Sequence, residues 1–350
     1  MILFVTGASG FLGKYVVAEA LKQGHQVRAV VRPAGNEQKL PWHNHPLVQL
    51  IRVDLRQRRG LAEALQGVDV VIHLAAAKAG DFYTQFAGTV IATENLLAAM
   101  TEAKVCRLVA ISTFSVFDYL HIPSGRVIDE DSPLERNPLQ RDEYAQTKLI
   151  QEELFREFER NQGGQVTIVR PGMVYGPDNL WNACLGAEIG ENSWLLIGSQ
   201  AHMPLTYVEN CADAIIAAAQ QDEAIAKTIN IVDDDLPKQS VYARKLIQQM
   251  PQPPRTVSIS WTMMRLIAAT FWLYNKVFLH GQAKLPGIFV PAKLHARFKP
   301  LRYTNKRAKQ ILNWTPKYSL DTALERSCSN VELMDTSYQI GPALIGAEKS

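Results

Sequence analysis

A glycine-rich turn at the start of the chain limits the fold more than any other feature of the sequence. The apolar run Ile2–Val5 predicts a strand, and a helical pattern begins directly after the turn. The glycine spacing permits a tight turn, a close approach of backbone to a phosphate, and close packing of helix on strand. The positive end of the helix dipole then favours an anion. We therefore predict a dinucleotide site, which we assign to Gly7, Ser9, Gly10, Phe11, Leu12 and Gly13.

Short apolar runs alternate with helical stretches along the first half of the chain. The predicted strands are Ile2–Val5, Gln26–Val31, Val48–Val53, Val68–His73, Arg107–Ser112, Gln165–Arg170 and, further on, Thr228–Val232. The predicted helices are Phe11–Gln23, Gly60–Leu65, Thr89–Ala103, Glu143–Arg160 and Val208–Gln220. This alternation indicates βαβ units and a parallel sheet covered on both faces. The expected fold class is α/β: a Rossmann-type, doubly wound parallel sheet with a smaller, mostly helical C-terminal lobe.

Length and composition suggest a two-lobed globular protein. The chain has 350 residues, 47% of them apolar, which excludes a disordered chain. Its 37 basic and 34 acidic residues give a net charge of +3, and no long basic block suggests nucleic acid as a partner. We expect residues 1–175 to form the nucleotide-binding domain, with 204–235 rejoining it. Residues 176–203 and 236–330 would form the substrate lobe, and 331–350 a C-terminal tail.

The end of the second predicted strand bears on cofactor choice. An NAD site usually carries an acid about 20 residues beyond the glycines, where it accepts a hydrogen bond from the ribose. Here Val31 and Arg32 stand in that neighbourhood, and no acid appears before Glu37. Val31 accepts no hydrogen bond, whereas Arg32 suits a bidentate pair with a 2′-phosphate. We predict a preference for NADP(H), with NAD(H) as the alternative.

The ends of the third and fourth strands supply further candidate cofactor contacts. Asp54 and Leu55 follow the third strand, where a carboxylate is placed to hold the adenine amino group. Ala75 and Ala76 follow the fourth strand, and their small side chains leave room for the cofactor. We interpret His73 as a packed structural histidine. The loop histidines have no carboxylate or thiolate constellation around them, so we assign no metal.

Tyr144 and Lys148 are predicted to lie one helical turn apart on the same face. A free tyrosine has a pKa of about 10, and a nearby cation is expected to lower the pKa of Tyr144 towards neutral pH. The run Ile111–Val116 leaves a buried strand and enters a hydroxyl-rich turn, at the edge where parallel sheets bind ligands. A hydroxyl there would hydrogen-bond a substrate oxygen while Tyr144 handles the proton.

Taken together, these motifs resemble the extended short-chain dehydrogenase/reductase family over nearly the whole chain. The motifs are Thr6–Gly13, Asp54-Leu55, His73–Ala76, Ile111–Val116, Tyr144–Lys148, Arg170–Pro177, Pro204–Ala214 and Ile311–Pro316. The resemblance implies Thr113 as the active-site hydroxyl with Ser112 as its neighbour, and Tyr144 as acid/base. It also implies that Lys148 binds the nicotinamide ribose. The residues it implies near the nicotinamide are Pro171, Gly172 and Val174.

Departures from subfamily patterns narrow the expected reaction. Phe114 and Ser115 stand where sugar-nucleotide dehydratases usually carry Asp-Glu, and Met173 stands where sugar-nucleotide epimerases often carry Asn. The segment Arg170–Pro177 resembles the 3β-hydroxysteroid-dehydrogenase and dihydroflavonol-reductase branches. We expect an NADP(H)-dependent oxidoreductase, similar to hydroxysteroid dehydrogenases, that acts on a secondary alcohol or ketone of a small molecule, either a lipophilic compound or a nucleotide sugar. A nucleotide-sugar epimerase and a non-catalytic redox sensor are the alternatives, and a homodimer is a further expectation.

The apolar stretch 261–279 is the most hydrophobic run in the chain. Ten residues separate Arg265 from Lys276, about half of what a membrane span needs. We expect a buried helix of the substrate lobe, with a peripheral membrane contact as the alternative. The four cysteines are far apart, and the N-terminus has no basic segment typical of a signal peptide. We expect a cytoplasmic protein, with membrane association through 261–279 as the variant.

Overall fold

The fold is given by a computed structural model that describes residues 1–33, 37–182, 184–189, 192–280, 282–283, 285–329, 331–334 and 336. Within these ranges the strands are β1 (Ile2–Thr6), β2 (Gln26–Val31), β3 (Val48–Arg52), β4 (Val70–His73), β5 (Arg107–Ile111), β6 (Val127–Ile128), β7 (Gln165–Pro171), β8 (Met173–Tyr175), β9 (Gly186–Glu188), β10 (Ser193–Ile197), β11 (Leu205–Tyr207), β12 (Lys227–Ile231), β13 (Arg255–Ile259) and β14 (Arg302–Tyr303). The helices are α1 (Phe11–Lys22), α2 (Leu61–Leu65), α3 (Phe82–Phe86), α4 (Ala92–Ala103), α5 (Glu143–Gln162), α6 (Val208–Gln220), α7 (Gln239–Gln248), α8 (Trp261–Phe278), α9 (Pro291–Phe298), α10 (Lys306–Leu312) and α11 (Leu320–Cys328).

Seven parallel strands form the central sheet, in the order β12-β7-β5-β4-β1-β2-β3. The predicted α/β fold is confirmed, and each predicted strand agrees with the observed one within two residues at either end. The chain runs outwards from β1 to β3 and then returns to β4 on the other side of β1. This reversal brings the carboxyl ends of β1 and β4 side by side, and in open α/β sheets ligands bind at such a switch point.

Helices cover both faces of the sheet. The side chains of β1 point alternately to the two faces, so this strand contributes to the core on each side. Leu3 and Val5 pack in a core cluster with α1 and α6. Phe4, pointing the opposite way, packs with α2, α4 and α5. All three side chains are fully buried, which explains why the strand is apolar without interruption.

Two regions differ from the sequence-based assignment. The helix predicted to begin at Thr89 extends back to Phe82, because a π-helical turn at Ala87–Ile91 joins α3 to α4. Gly88 lies in that turn, where a Cβ atom would be 2.8 Å from the side chain of Ala77. Residues 176–203, assigned to the substrate lobe with no strand predicted, contain β9 and β10, which form a second sheet with β13. The division into lobes remains a prediction, and most of the tail at 331–350 lies outside the described residues.

Helix α8 corrects the expectation of a buried lobe helix. Met264, Ala268 and Asn275 are its buried side chains, and they form a narrow stripe along one side. Apolar residues occupy nearly the full circumference of α8, so one stripe of contact with β10 and α9 leaves the other apolar residues exposed. In the described part of the chain, no helix is long and apolar enough to cross a bilayer.

Candidate active site

The glycine turn is packed so closely that side chains do not fit at two of its positions. Gly7 has a φ of +68°, and a Cβ there would lie 2.9 Å from the backbone nitrogen of Ala75. A Cβ at Gly13 would lie 2.1 Å from the carbonyl oxygen of Gly7. No side chain caps the N-terminus of α1 at Gly10, and its first turn carries no acid. The turn therefore presents helical N–H groups to an anion, which fits the pyrophosphate of a dinucleotide.

Basic side chains surround the carboxyl ends of β2 and β3. Arg32 is exposed directly after β2, and its charge helps to lower the pKa of the Asp54 carboxyl. The main cause of that lowering is Arg56, whose guanidinium binds the carboxylate with Nε–Oδ1 and Nη2–Oδ2 distances of 3.0 and 2.6 Å. Asp54, assigned to the adenine amino group, is thus already ion-paired. Leu55 is buried, and its carbonyl accepts a hydrogen bond from Asn95.

Thr113 and Tyr144 converge at the carboxyl edge of the sheet. Thr113 caps the short helical turn after β5, where its hydroxyl accepts a hydrogen bond from Ser115 N at 3.2 Å. Tyr144 lies in the first turn of α5, whose N-cap is Asp142. Burial raises the pKa of Tyr144 to about 12, while a hydrogen bond from Thr113 acts in the opposite direction. The expected lowering of this pKa is therefore wrong for the structure, and the phenol is protonated at neutral pH.

Lys148 is buried one turn beyond Tyr144, and its ammonium has two acceptors. Lys148 Nζ donates to the carbonyl of Ile111 at 2.8 Å and to Oε1 of Gln151 at 2.7 Å. Burial lowers the pKa of Lys148 to about 7, and the nearby charge of Lys78 lowers it further. Desolvation of an ammonium thus outweighs its hydrogen bonds here. The ammonium is held against the end of β5 and by Gln151 of its own helix.

A buried chain of hydrogen bonds connects Lys148 to the glycine turn. Gln151 Nε2 donates to the hydroxyl of Thr93 at 2.7 Å, and His73 Nε2 lies 2.9 Å from the same oxygen. The other ring nitrogen of His73 is 2.7 Å from the hydroxyl of Thr6, the last residue of β1. Burial lowers the pKa of His73 to about 3, so the ring is neutral at physiological pH. This agrees with the interpretation of His73 as a structural residue.

Ser112 lies in a different environment from Thr113. Its hydroxyl donates to the buried carboxylate of Glu152 in a short hydrogen bond. Glu152 also binds the guanidinium of Arg170, with Nε–Oε1 and Nη2–Oε2 distances of 2.8 and 2.7 Å. Ser112 and Thr113 follow the end of β5 and have different partners, since the Thr113 hydroxyl caps the next helical turn while that of Ser112 binds Glu152. The structure therefore does not bring Ser112 to the site, and its hydroxyl belongs to a buried polar network.

The segment after β7 passes close to the glycine turn. A Cβ at Gly172 would lie 2.1 Å from the carbonyl oxygen of Pro204, so β8 and β11 approach here as only glycine allows. A Cβ at Gly176 would lie 3.2 Å from the ring of Phe11 in α1. Pro171 is buried, while Val174 is partly exposed. These contacts bring the segment to the same edge of the sheet as Ala75 and Ala76, which are also partly exposed.

Sequence reasoning missed Gln151 and Glu152, although helical spacing contains a signal for both. They lie three and four residues after Lys148, and such residues share a face of a helix. Lys78 was missed because it lies in the irregular segment after β4, where no periodicity places a side chain. Its charge reaches Lys148 only through the tertiary fold. Among the described residues, no group of three or more His, Cys, Asp or Glu is arranged to hold a metal ion.

Comparisons with known proteins agree with this architecture. The family model described as "NAD dependent epimerase/dehydratase family" matches residues 3–232. The human sterol-4-alpha-carboxylate 3-dehydrogenase, decarboxylating, is 27% identical over 92% of this chain and 86% of its own. A farnesyl-dihydroquinoline-oxide ketoreductase from Stigmatella aurantiaca is 34% identical over 51% of this chain and 52% of its own. The solved UDP-glucuronic acid 4-epimerase of Bacillus cereus, in complex with UDP-glucuronic acid and NAD, superposes with a TM-score of 0.69 at 22% identity, covering 94% and 98% of the two chains.

Proposed function

This chain belongs to the NAD dependent epimerase/dehydratase family, and from that premise we propose that it is an NADP(H)-dependent oxidoreductase of a lipophilic secondary alcohol or ketone. It is an enzyme of the NAD(P)-dependent dehydrogenase/epimerase type, and the substrate and the net reaction are the proposed parts. The observation that supports the proposal is that Thr113 and Tyr144 interact at the carboxyl edge of the sheet, while Lys148 of the same helix is joined through Gln151, Thr93 and His73 to the glycine turn.

The residues present fit a dinucleotide. The uncapped N-terminus of α1 would hold the pyrophosphate, Lys148 the nicotinamide ribose, and Arg32 a 2′-phosphate. When bound, the nicotinamide supplies a hydride to a ketone carbon or accepts one from an alcohol carbon. Val31 is buried and apolar at the end of β2, which supports NADP(H) because it offers the ribose no acceptor.

The chain's own residues manage the proton and the substrate oxygen. Thr113 would donate a hydrogen bond to that oxygen, and Tyr144, protonated at neutral pH, would transfer its proton to it in the direction of reduction. Lys148 in its charged form would then stabilise the phenolate. Because burial brings the pKa of Lys148 to about 7, only part of the protein carries the charged form of this lysine at neutral pH. We place Thr113, Tyr144 and Lys148 in the catalytic roles and leave Ser112 in a structural one.

Two observations favour a lipophilic substrate over a nucleotide sugar. Met173, directly after Gly172, offers the phosphates of a nucleotide sugar no hydrogen-bond donor. Phe114, directly after Thr113, offers no carboxylate for the elimination of water from a sugar. The human relative is by its name a sterol dehydrogenase, and the similarity extends over most of both chains. We further propose that residues 176–203 and 236–330 form the substrate lobe and that the protein assembles as a homodimer.

Turnover assays distinguish the candidate functions. We expect the wild-type protein to oxidise NADPH stoichiometrically with a hydrophobic ketone such as a 3-ketosteroid, and the Tyr144→Phe variant to bind NADPH with at least about 100-fold lower turnover. Interconversion of a UDP-sugar without net change in cofactor would instead establish the epimerase. A wild type that binds NADPH and turns over neither substrate class would indicate a sensor.

Cofactor preference is tested by Arg32→Ala. We expect NADPH affinity to fall about 10- to 100-fold, as for loss of one charged hydrogen-bonded pair, while NADH affinity is unchanged. Arg160→Ala is the matched control, because Arg160 is exposed near the end of α5, at the opposite edge of the sheet. Equal NADPH affinity for wild type and Arg32→Ala contradicts the assignment.

A further inference from the structure

Helix α8 exposes an apolar surface that nothing in the described chain covers. Its exposed side chains include both large aliphatic and aromatic residues, with Leu273 55% and Phe278 68% accessible. The exposed apolar residues of the helix are Met263, Leu266, Phe271, Trp272, Leu273, Tyr274, Val277 and Phe278. We name this set the α8 ridge. Apolar side chains so close together on a surface mark a contact with something outside the chain.

The α8 ridge stands in a segment of unusual charge. From Leu236 to Leu320 the sequence contains fifteen Lys and Arg and no Asp or Glu. All 34 acidic residues of the chain therefore lie outside this segment, together with the other 22 of its 37 basic residues. The near-neutral net charge of the whole chain therefore conceals a strongly basic segment, and a basic segment attracts an anionic partner.

The basic residues nearest the ridge are not neutralised. The segment's salt bridges to acids elsewhere in the chain are made by Lys245, Arg307, Lys309 and Lys317. Arg265 and Lys276, on α8 itself, form no salt bridge with any carboxylate of the described residues. Lys276 Nζ instead lies 5.1 Å from the centre of the Trp272 ring. Cationic groups beside an exposed tryptophan are typical of surfaces that lie at a membrane interface.

The helix is attached firmly enough to act as a docking surface. Met264 and Ala268 pack in a cluster with Ile197 of β10 and with Leu294 and Phe298 of α9. Phe271 stacks on Phe289 with ring centres 4.8 Å apart. Ser260 caps the N-terminus by accepting a hydrogen bond from Met263 N. Leu273, Val277 and Phe278 make none of these contacts and are more than half exposed, so they are available to a partner without disturbing the fold.

We propose that the α8 ridge docks this protein peripherally on an anionic phospholipid surface. The apolar and aromatic side chains would enter the headgroup boundary while the surrounding basic residues meet lipid phosphates. A second copy fits less well, because a two-fold interface at the ridge would bring two basic segments together. The inference goes beyond the proposed enzymatic function and does not depend on it, since lipid binding needs neither cofactor nor substrate.

Vesicle sedimentation of the full chain tests this inference. The probes are vesicles of phosphatidylcholine alone and of phosphatidylcholine with phosphatidylglycerol in equal parts. We expect binding to the anionic vesicles, several-fold weaker binding to the neutral ones, and weakening by added salt. The double substitution Leu273→Ser and Phe278→Ser should reduce binding at least about tenfold, because two exposed apolar side chains no longer enter the interface. Leu139→Ser is the matched control, since Leu139 is 83% exposed and lies outside α8, in the short helical turn that precedes α5.

The possible results distinguish a lipid surface from a second copy of the chain as the partner of the α8 ridge. Anionic binding that is lost in the double variant and kept in Leu139→Ser supports the proposal, provided both variants bind NADPH like the wild type. Failure of the wild type to bind anionic vesicles overturns it. So does equal binding of the wild type and the double variant. A dimer in analytical ultracentrifugation that the double variant dissociates, without vesicle binding, would assign the ridge to a second copy and also overturn it.

Discussion

Replacing Lys148 by Met tests whether burial controls the charge of the proposed catalytic lysine. Methionine keeps most of the volume of the side chain and removes its ionisation. The pKa of Lys148 is about 7 in the folded chain, against an ordinary value of 10.5. Between these values the unfolded lysine keeps its proton while the folded one has lost it. The unfolded state therefore binds more protons, and the folded state gains stability as pH rises.

The size of the effect follows from the two pKa values. From pH 7 to 9 the wild type should gain about 2 kcal/mol of unfolding free energy relative to Lys148→Met. The assay is urea unfolding followed by tryptophan fluorescence, with both chains measured at each pH so that other titrating groups cancel. A difference that stays constant across this range would refute the argument that burial depresses the pKa. A stabilised ammonium would give this constant difference, followed by a loss of stability only at pH values above the ordinary pKa of 10.5.

Three further substitutions probe the surroundings of this lysine and the cofactor turn. Gln151→Leu removes an acceptor from the Lys148 ammonium and should move the pH of the stability transition about 1 to 2 units lower. Gln151→Glu should move it higher, and shifts of the same sign would contradict the argument that this hydrogen bond stabilises the ammonium. Glu152→Leu should cost about 3–5 kcal/mol in urea unfolding, because it leaves the buried Arg170 without its carboxylate, and a loss below about 1 kcal/mol would argue against that. Gly13→Ala should weaken NADPH binding at least about tenfold in a fluorescence titration, since its Cβ displaces the turn carbonyl, and unchanged affinity would contradict the close packing.

The sheet could be predicted well because each strand is recognisable from its own residues. Residues 70–72 of β4 and 108–111 of β5 are uninterrupted apolar runs, and such runs are typical of strands buried on both faces of a sheet. The glycine turn could also be recognised from a few residues, since the spacing of its three glycines depends on the geometry of a single turn. Even the wrong start of the helix at Thr89 was a boundary error beside a correctly predicted helix.

The side-chain environments were predicted less well because they depend on distant residues. Ser112 and Thr113 are adjacent and chemically alike, yet Glu152 draws the first hydroxyl into the interior. Tyr144 and Lys148 have the predicted spacing, but burial and not their mutual attraction dominates both pKa values. Desolvation depends on everything packed around a group, which a local motif does not contain.

The sequence by itself determined the α/β fold, the family, the cofactor turn and the identity of the candidate catalytic residues. These follow from hydrophobic period, glycine spacing and motif order, all of which act over a few residues. Only the tertiary structure decided that Lys148 is held by Ile111 and Gln151, and that α8 exposes its apolar side chains. An apolar helix has the same sequence whether or not other elements cover it, so its burial is a property of the assembled fold.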